Sequence, residues 1–324
     1  MSRLPKWGVV ATIKAPARDI LDFAAHHLDL GARQVHVYLD EDNPEARAAL
    51  AAHPNCHVIV TDEAYWQRRK GRPEMHQPRQ TANATHCYKR AGDVDWLLHI
   101  DVDEFLWPAG PSAPPVATQL AALPAATRSA RLRPVEALAP DPDDPPPDGV
   151  TWCKGHARGL AARRAQTNAI YPTYGDHLNG GFLSHVAGKV FVRTGHKGVG
   201  LRIHNAFFNR VQDPEPAHLD GVHLVHMHGH SWAHWLKMFR FRMAQGSYRE
   251  SLRAAPMPDG VALTMNQLFS MLEDEGGEEA LARFYREVCT ATPELRARLD
   301  AHGHLHAVRL ALGAKRRKHF PDFG

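Results

Sequence analysis

The chain has 324 residues, of which 44% are hydrophobic and 23% charged, and it carries a formal net charge of +4. These values are those of a soluble globular protein that forms one α/β domain with additions or two small domains. No apolar run approaches the roughly 18–20 residues needed to cross a bilayer, and the apolar stretch near the N-terminus is too short for a signal peptide.

The cysteines also limit the possible classes. Cys56, Cys87, Cys153 and Cys289 are widely separated and form no Cys-x-x-Cys pair. This spacing favours neither a zinc knuckle nor a disulfide framework, so a reducing, cytoplasmic location is predicted. The modest net charge gives no reason to expect nucleic acid as a partner.

The first hundred residues alternate between strand and helix patterns. Predicted strands lie at 7–13, 34–39, 57–61 and from residue 96, and predicted helices lie at 16–30, 44–53 and 77–91. Such alternation predicts an α/β fold with a mainly parallel sheet flanked by helices. Ligands bind such sheets outside the carboxyl ends of the strands. Thr12 and Lys14, Asp40 and Asp42, and Asp101 and Asp103 all fall at predicted strand ends, so we expect them at one edge of the sheet.

The rest of the chain is less regular. A helix at 116–123, a strand at 130–135, a proline-rich loop at 140–147 and a last strand at 222–225 are predicted. They are followed by a helix from residue 231 and by helices at about 264–274, 278–289 and 293–301. The cluster Lys315–Lys318 is interpreted as a solvated basic tail, with weak peripheral contact to anionic lipid as the functional alternative.

The segment WLLHIDVDEFLWP, residues 96–108, carries the most information. An apolar strand ends there in Asp101 and Asp103, whose side chains point to the same side of an extended segment. Paired carboxylates suit a hard divalent cation such as Mn²⁺ or Mg²⁺, which commonly bridges protein carboxylates and substrate phosphates.

A second cluster of possible ligands is rich in histidine. Residues 223–234 read HLVHMHGHSWAH and contain five histidines. Alternating histidines are typical of zinc hydrolases, which makes a zinc-dependent hydrolase a rival enzyme class. The aspartate expected in the metallo-β-lactamase pattern is missing, and too few residues follow for an amidohydrolase barrel.

The order of segments VVATIKAP, VHVYLDEDN, Arg79-Gln80-x-x-Asn83 and WLLHIDVDEFL resembles a glycosyltransferase family 2-like group with the GT-A (nucleotide-diphospho-sugar transferase, Rossmann-like) fold. The resemblance covers about residues 5–110 and is weaker through AGKVFVR, GLRIHN and LVHMHGHSWAHWLK to about residue 245. Ala15-Pro16 stands where the group usually has Asn-Glu.

The resemblance implies a UDP-linked sugar donor bound with Mn²⁺ or Mg²⁺. Its Asp-x-Asp motif maps onto Asp103, which would coordinate the metal more directly, and Asp101, which would meet the ribose or the metal through water. Thr12 and Lys14 would line the nucleotide pocket.

Further donor contacts follow from the same resemblance. Asp40, or Asp42 in another register, would face the base, and Arg79 would lie near the diphosphate. His226 is the expected third metal ligand, with His228 and His204 as alternatives.

Transfer also needs a general base for the acceptor hydroxyl and positive charge near the leaving diphosphate. Glu136 follows a predicted strand and is the candidate base, with Glu104, Asp176 and His185 as alternatives. Lys14, Arg79, Lys189 and Arg193 are candidates to share the diphosphate charge.

Together these observations predict a metal-dependent, inverting glycosyltransferase. Residues 1–230 would form the catalytic domain, with 1–110 binding the nucleotide-sugar and 111–230 completing the acceptor side, and 231–324 would form a helical C-terminal region. The acceptor hydroxyl can belong to a glycan, a lipid-linked sugar or a small molecule. A zinc hydrolase, a nucleotidyltransferase and a non-catalytic nucleotide-binding module remain as alternatives.

Overall fold

The computed structural model describes residues 3–110, 112–244 and 263–323. The chain divides into two compact units. Unit 1 comprises Met1–Pro134, Ala187–Leu224 and Leu310–Gly324, and unit 2 comprises Val135–Val186 and Val225–Arg309. This division differs from the predicted boundary at 230/231, because the chain leaves unit 1 twice and returns to it twice.

The strands, in chain order, are β1 (Trp7–Ile13), β2 (Gln34–Leu39), β3 (Cys56–Val60), β4 (Trp96–His99), β5 (Glu104–Pro108), β6 (Ser129–Ala137), β7 (Thr151–Lys154), β8 (Lys189–Arg193), β9 (Val199–Leu201), β10 (Ala206–Phe208), β11 (Val211–Gln212), β12 (Ala217–His226) and β13 (Leu305–Val308). The α-helices are α1 (Ala17–Asp29), α2 (Pro44–Ala52), α3 (Glu63–Gln67), α4 (His76–Tyr88), α5 (Val116–Ala121), α6 (Leu160–Ile170), α7 (Trp232–Ala244), α8 (Met265–Cys289), α9 (Pro293–Ala301) and α10 (Leu312–His319). A 3₁₀ turn spans Gly175–His177.

The sheet of unit 1 confirms the α/β class. β4, β1, β2 and β3 pair in parallel in that order, and these are the four strands predicted for the first hundred residues. β8 extends the sheet antiparallel to β4, and the first residues of β6 pair antiparallel with β8. All seven residues of β1 are buried, as expected for a central strand covered on both faces.

The register brings three strand ends to one edge of the sheet. Thr12 lies opposite Tyr38, Ile13 opposite Leu39, and Val10 opposite His99. A hydrophobic cluster that includes Val10, Leu97 and Ala84 packs α4 against this sheet. The predicted convergence of the carboxyl ends of β1, β2 and β4 is therefore confirmed.

Unit 2 contains the end of β6, which pairs with β7, and β7 pairs with β13. Its core is aromatic, with Trp235 of α7 packed against Phe269 and Phe284 of α8. α8 is interrupted at Gly277, whose φ of +57° is a left-handed conformation that favours glycine. This break separates the two predicted helices at 264–274 and 278–289.

The predicted basic tail is a helix, α10, that packs against α1 within unit 1. Arg316 is buried and pairs with Asp22, and Lys318 pairs with Asp29 at 2.6 Å. Lys315 lies 3.9 Å from Asp29. Three of the four basic residues thus have carboxylate partners. These partners offset part of the positive charge that a solvated tail would present to anionic lipid. No helix in the described ranges is long and apolar enough to cross a bilayer.

The Arg316–Asp22 pair yields a stability prediction. Replacing Arg316 by Ala removes the nearer cation from the buried Asp22, whose other ion pair among the described residues is with Arg18 at 3.8 Å. Since removal of one partner of a buried pair is strongly destabilising, the free energy of unfolding should fall by about 3 kcal/mol in a urea titration. Lys318→Ala, which removes an exposed partner, should cost less than about 1 kcal/mol. Equal losses in the two variants would contradict this assignment.

Candidate functional site

Helix α4 connects the three converging strand ends through a short polar motif. Arg79, Gln80 and Asn83 lie on the face of α4 that meets the sheet, because positions i, i+1 and i+4 fall on neighbouring parts of a helix surface. Asn83 donates from Nδ2 to the hydroxyl of Thr12 on β1 at 3.1 Å. Gln80 donates to Oδ1 of Asp101 after β4, and Arg79 binds Asp40 after β2.

Asp101 lies at the centre of a polar network inside unit 1. The Nζ of Lys189, a residue only 1% exposed, lies 2.7 Å from Oδ2 of Asp101 and 3.2 Å from Oε2 of Glu104. Burial alone would raise the pKa of Asp101, but the Lys189 ammonium holds it below its ordinary value. Asp101 is therefore ionised at neutral pH, with its side chain 31% exposed.

The turn between β4 and β5 is fixed by its own hydrogen bonds. The Asp101 amide donates to Oε2 of Glu104 at 2.8 Å, and the Glu104 amide donates to the Asp101 carbonyl at 3.1 Å. Asp103 lies inside this turn and is half-buried, and its negative charge acts on the pKa of Asp101. The turn thus holds two neighbouring carboxylates at the end of the sheet.

These carboxylates fit a hard cation in their chemistry, since Mg²⁺ and Mn²⁺ prefer oxygen ligands. Both oxygens of Asp101 already accept hydrogen bonds, from Gln80 and Lys189, which suits an indirect role for Asp101 better than direct coordination. Within residues 3–110, 112–244 and 263–323, no group of three or more His, Cys, Asp or Glu side chains is placed to hold a metal. A cation at Asp103 would need further ligands, such as substrate phosphates.

The carboxylate of Asp40 is surrounded by arginine side chains. Its side chain is 2% exposed and lies 2.8 Å from Nη2 of Arg79 and 3.1 Å from Nη2 of Arg72. Burial would raise its pKa, but hydrogen bonds from His76, Arg79 and Arg72 hold it far below the ordinary value. A carboxylate so enclosed is poorly placed to contact a nucleotide base. Asp42, the alternative, has a side chain that is 41% exposed and pairs with Arg47.

Arg79, Thr12 and Lys14 lie at the predicted edge in different environments. Arg79 uses its donors on Asp40 and on the carbonyls of Pro73 and Glu74, so its predicted contact with a diphosphate competes with these bonds. Thr12 is buried beneath α4. Lys14 is exposed and pairs with Glu41 at 2.6 Å.

Glu136 lies in unit 2 and is 1% exposed. Its carboxylate accepts the amides of Leu183 and Ser184 at 3.1 and 2.9 Å and lies 3.2 Å from Nζ of the fully buried Lys154. Burial opposes ionisation, but Lys154 lowers the pKa of Glu136 to about 2. These contacts do not suit a general base, which must reach the acceptor and take up a proton near neutral pH.

The alternative bases differ in accessibility. Glu104 is buried and bound to Lys189, whereas Asp176 and His185 in unit 2 are exposed. Asp176 accepts a hydrogen bond from Asn168. Exposure makes Asp176 and His185 the better candidates for contact with an acceptor.

The histidine-rich segment begins where β12 ends. His226 is half-buried and packs edge-on against His228 in unit 2, with ring centroids 4.9 Å apart, and His230 stacks on His234 at 5.2 Å. The positive charge that His228 and His226 carry when protonated contributes to the low pKa of Glu136. In unit 1, His204 contacts the Gly188 carbonyl through Nδ1 at 2.9 Å. Whether His226 is a metal ligand stays a prediction.

One concave region of unit 1 is lined by none of the predicted site residues. It is a cleft of about 1150 Å³ beside the turn after β8, and its basic lining residues are Lys89, His196, Lys197, Arg202 and Arg210. Arg193, the last residue of β8, lies opposite Trp96 at the start of β4. The turn therefore borders the amino end of β4, and the Asp101 turn follows its carboxyl end. Arg193 itself binds the carbonyls of Thr127 and Pro124.

Four residues of the network have partners that the sequence did not indicate. The Arg79-Gln80-x-x-Asn83 spacing marks α4, but only the fold shows that Gln80 bonds Asp101. Arg72 and His76 surround Asp40 from the segment before α4 and from its first turn, which carry no recognisable pattern. Lys189 was expected to face the diphosphate, and the structure instead gives it two carboxylate partners.

Comparison with models of known protein families finds no match to this chain, and comparison with curated proteins finds none either. The resemblance to glycosyltransferases stays a prediction that rests on the motifs themselves.

The Glu136–Lys154 pair predicts a pH dependence of stability. Because the pKa of Glu136 is lowered from 4.5 to about 2 in the folded protein, its contribution is complete above about pH 4.5 and is lost as the pH falls towards 2. Glu136→Gln should lower the free energy of unfolding at pH 7 and reduce its decline between pH 5 and 3, measured by urea titration at each pH. The matched variant Glu279→Gln, at an exposed position of α8, should keep the wild-type slope. An unchanged slope in Glu136→Gln would contradict the assigned ion pair.

Proposed function

We propose that this chain is a metal-dependent glycosyltransferase of the GT-A type that transfers a sugar from a UDP-linked donor to an acceptor hydroxyl with inversion. One observation carries the proposal. The ends of β1, β2 and β4 converge, and α4 binds a polar side chain at each of them through Asn83, Arg79 and Gln80. Ligands bind α/β sheets at such carboxyl edges.

The charges at this edge support a donor that carries a diphosphate. The Asp101–Glu104 turn offers an ionised carboxylate at Asp101 and a half-buried one at Asp103. Arg72 and His76 have half-exposed side chains beside Asp40. Arg72 can supply positive charge to an anionic ligand, and His76 can supply a hydrogen-bond donor. A divalent cation and a diphosphate need these two kinds of partner together.

In the proposed reaction the bond between the anomeric carbon and the diphosphate oxygen breaks, and a bond from the acceptor oxygen forms. Asp103 would hold the divalent cation, which when bound offsets negative charge on the departing diphosphate. Asp101, fixed by Gln80 and Lys189, would orient the donor ribose or a water. The acceptor proton would pass to a general base.

The proposed location is the cytoplasm, and all four cysteines are free and buried, as a reducing compartment allows. The acceptor can be a glycan, a lipid-linked sugar or a small molecule. The ion pairs of α10 give no support to membrane contact through its basic residues.

The donor site is tested by thermal shift with a panel of nucleotide sugars, with and without Mn²⁺. A UDP-sugar at 100 times its dissociation constant should stabilise the protein by about 2.7 kcal/mol, and only in the presence of Mn²⁺. Stabilisation by none of the panel, or equal stabilisation in EDTA, would contradict the proposal.

Substitution of the carboxylates provides an independent prediction. Asp103→Asn should abolish the Mn²⁺-dependent shift and sugar transfer while the protein stays folded, because the buried strand β4 before the turn carries the core packing. Asp101→Asn should also impair both, but less completely, because its role is indirect. Asp322→Asn removes an exposed carboxylate elsewhere in unit 1 and should behave as wild type. Full transfer by Asp103→Asn in EDTA would exclude a metal-dependent reaction at this turn.

A further inference from the structure

The ammonium of Lys189 lies where a second cation would approach Asp101. Its Nζ is 2.7 Å from Oδ2 of Asp101 and 3.2 Å from Oε2 of Glu104. Gln80 donates to the other oxygen of Asp101, so each oxygen of this carboxylate has a fixed donor. The site contains a permanent cation before any metal binds.

This cation is not free to move away. Lys189 is 1% exposed, and its backbone is fixed in β8 by pairing with Leu132 of β6. Removing the ammonium would leave the buried Glu104 and the partly exposed Asp101 without their cation, which is strongly unfavourable at the buried position. A divalent ion must therefore bind beside Lys189 and not in its place.

We propose that Lys189 makes binding of the divalent cation conditional on the donor nucleotide. The inference rests on the proposed function and specifies how the same site is regulated. Lys189 pairs with Asp101 and Glu104 and repels a second cation, whereas Mn²⁺ needs several oxygen ligands and offsetting negative charge. The diphosphate supplies the missing oxygens and the missing negative charge, and metal and nucleotide enter as a pair.

The test measures Mn²⁺ binding directly, by the electron paramagnetic resonance signal of free Mn²⁺, with and without UDP. The wild type should bind Mn²⁺ weakly alone and at least about tenfold more tightly with UDP. Lys189→Met should bind Mn²⁺ alone at least about tenfold more tightly than the wild type, because the substitution removes a positive charge that repels the metal at short range. The matched control is Lys197→Met, which removes an exposed lysine of unit 1 far from this turn in sequence and should leave binding unchanged.

A second variant covers the case in which Lys189→Met does not fold. Lys189→Met with Glu104→Gln removes one positive and one negative charge, so the buried position of Glu104 becomes neutral and only the partly exposed Asp101 loses its partner. This double variant should also bind Mn²⁺ without UDP.

The outcomes separate the two proposals. UDP-dependent Mn²⁺ binding in the wild type with no gain in either variant would overturn the role of Lys189 alone. Wild-type protein that binds Mn²⁺ equally well without UDP would overturn it too. Absence of Mn²⁺ binding even with UDP would overturn the proposed function, and the role of Lys189 with it.

Discussion

The candidate site depends on one ion-pair network, between the buried Lys189 and the carboxylates of Asp101 and Glu104. It joins β8 to the turn after β4 and keeps the partly exposed Asp101 ionised although desolvation opposes its charge. Without the ammonium, the turn would concentrate negative charge at the end of a hydrophobic strand. Because the pair neutralises part of that charge internally, Asp103 can remain at the edge of the sheet without destabilising it.

A similar ion pair occurs in unit 2. There the fully buried Lys154 pairs with Glu136 and donates to the carbonyls of Gly181 and Val288. Burial of a lysine is costly unless its ammonium has charged or carbonyl partners, and both lysines meet this condition. The two differ in what surrounds them. The Lys189 network reaches a partly exposed carboxylate and can act on a ligand, whereas the Lys154 network is closed and acts on stability.

Hydrophobic patterning predicted the strands and helices that have a regular apolar periodicity. The bounds of β1 and β2 agree with the prediction, as do those of α9, because apolar periodicity and N-terminal capping signals define them. The short strands β9, β10 and β11 were not predicted, since three or fewer residues contain no period. β8 was recognised only as part of the AGKVFVR segment, and its antiparallel pairing with β4 depends on contacts remote in sequence.

The sequence predicted where the site lies, but it did not predict which side chains pair with one another inside it. Asp101, Asp40 and Thr12 follow from the rule that strand ends converge, which the parallel pairing confirms. That Asp40 is enclosed by Arg79 and Arg72 could not be inferred, because a carboxylate at a strand end has the same sequence pattern whether it faces a ligand or a buried guanidinium. Glu136 shows the same limit: its position after an apolar strand suggested access to an acceptor, whereas two amides and Lys154 surround it.

The central claim is that the edge formed by α4 and the Asp101 turn binds the donor nucleotide. Hydrogen exchange followed by mass spectrometry, with and without UDP and Mn²⁺, tests this most directly because it locates the ligand along the chain. Slower exchange should appear in the first turns of α4, residues 76–83, and in the turn at 100–104. Unchanged exchange in both segments, or protection confined to the basic cleft beside residues 194–200, would contradict it.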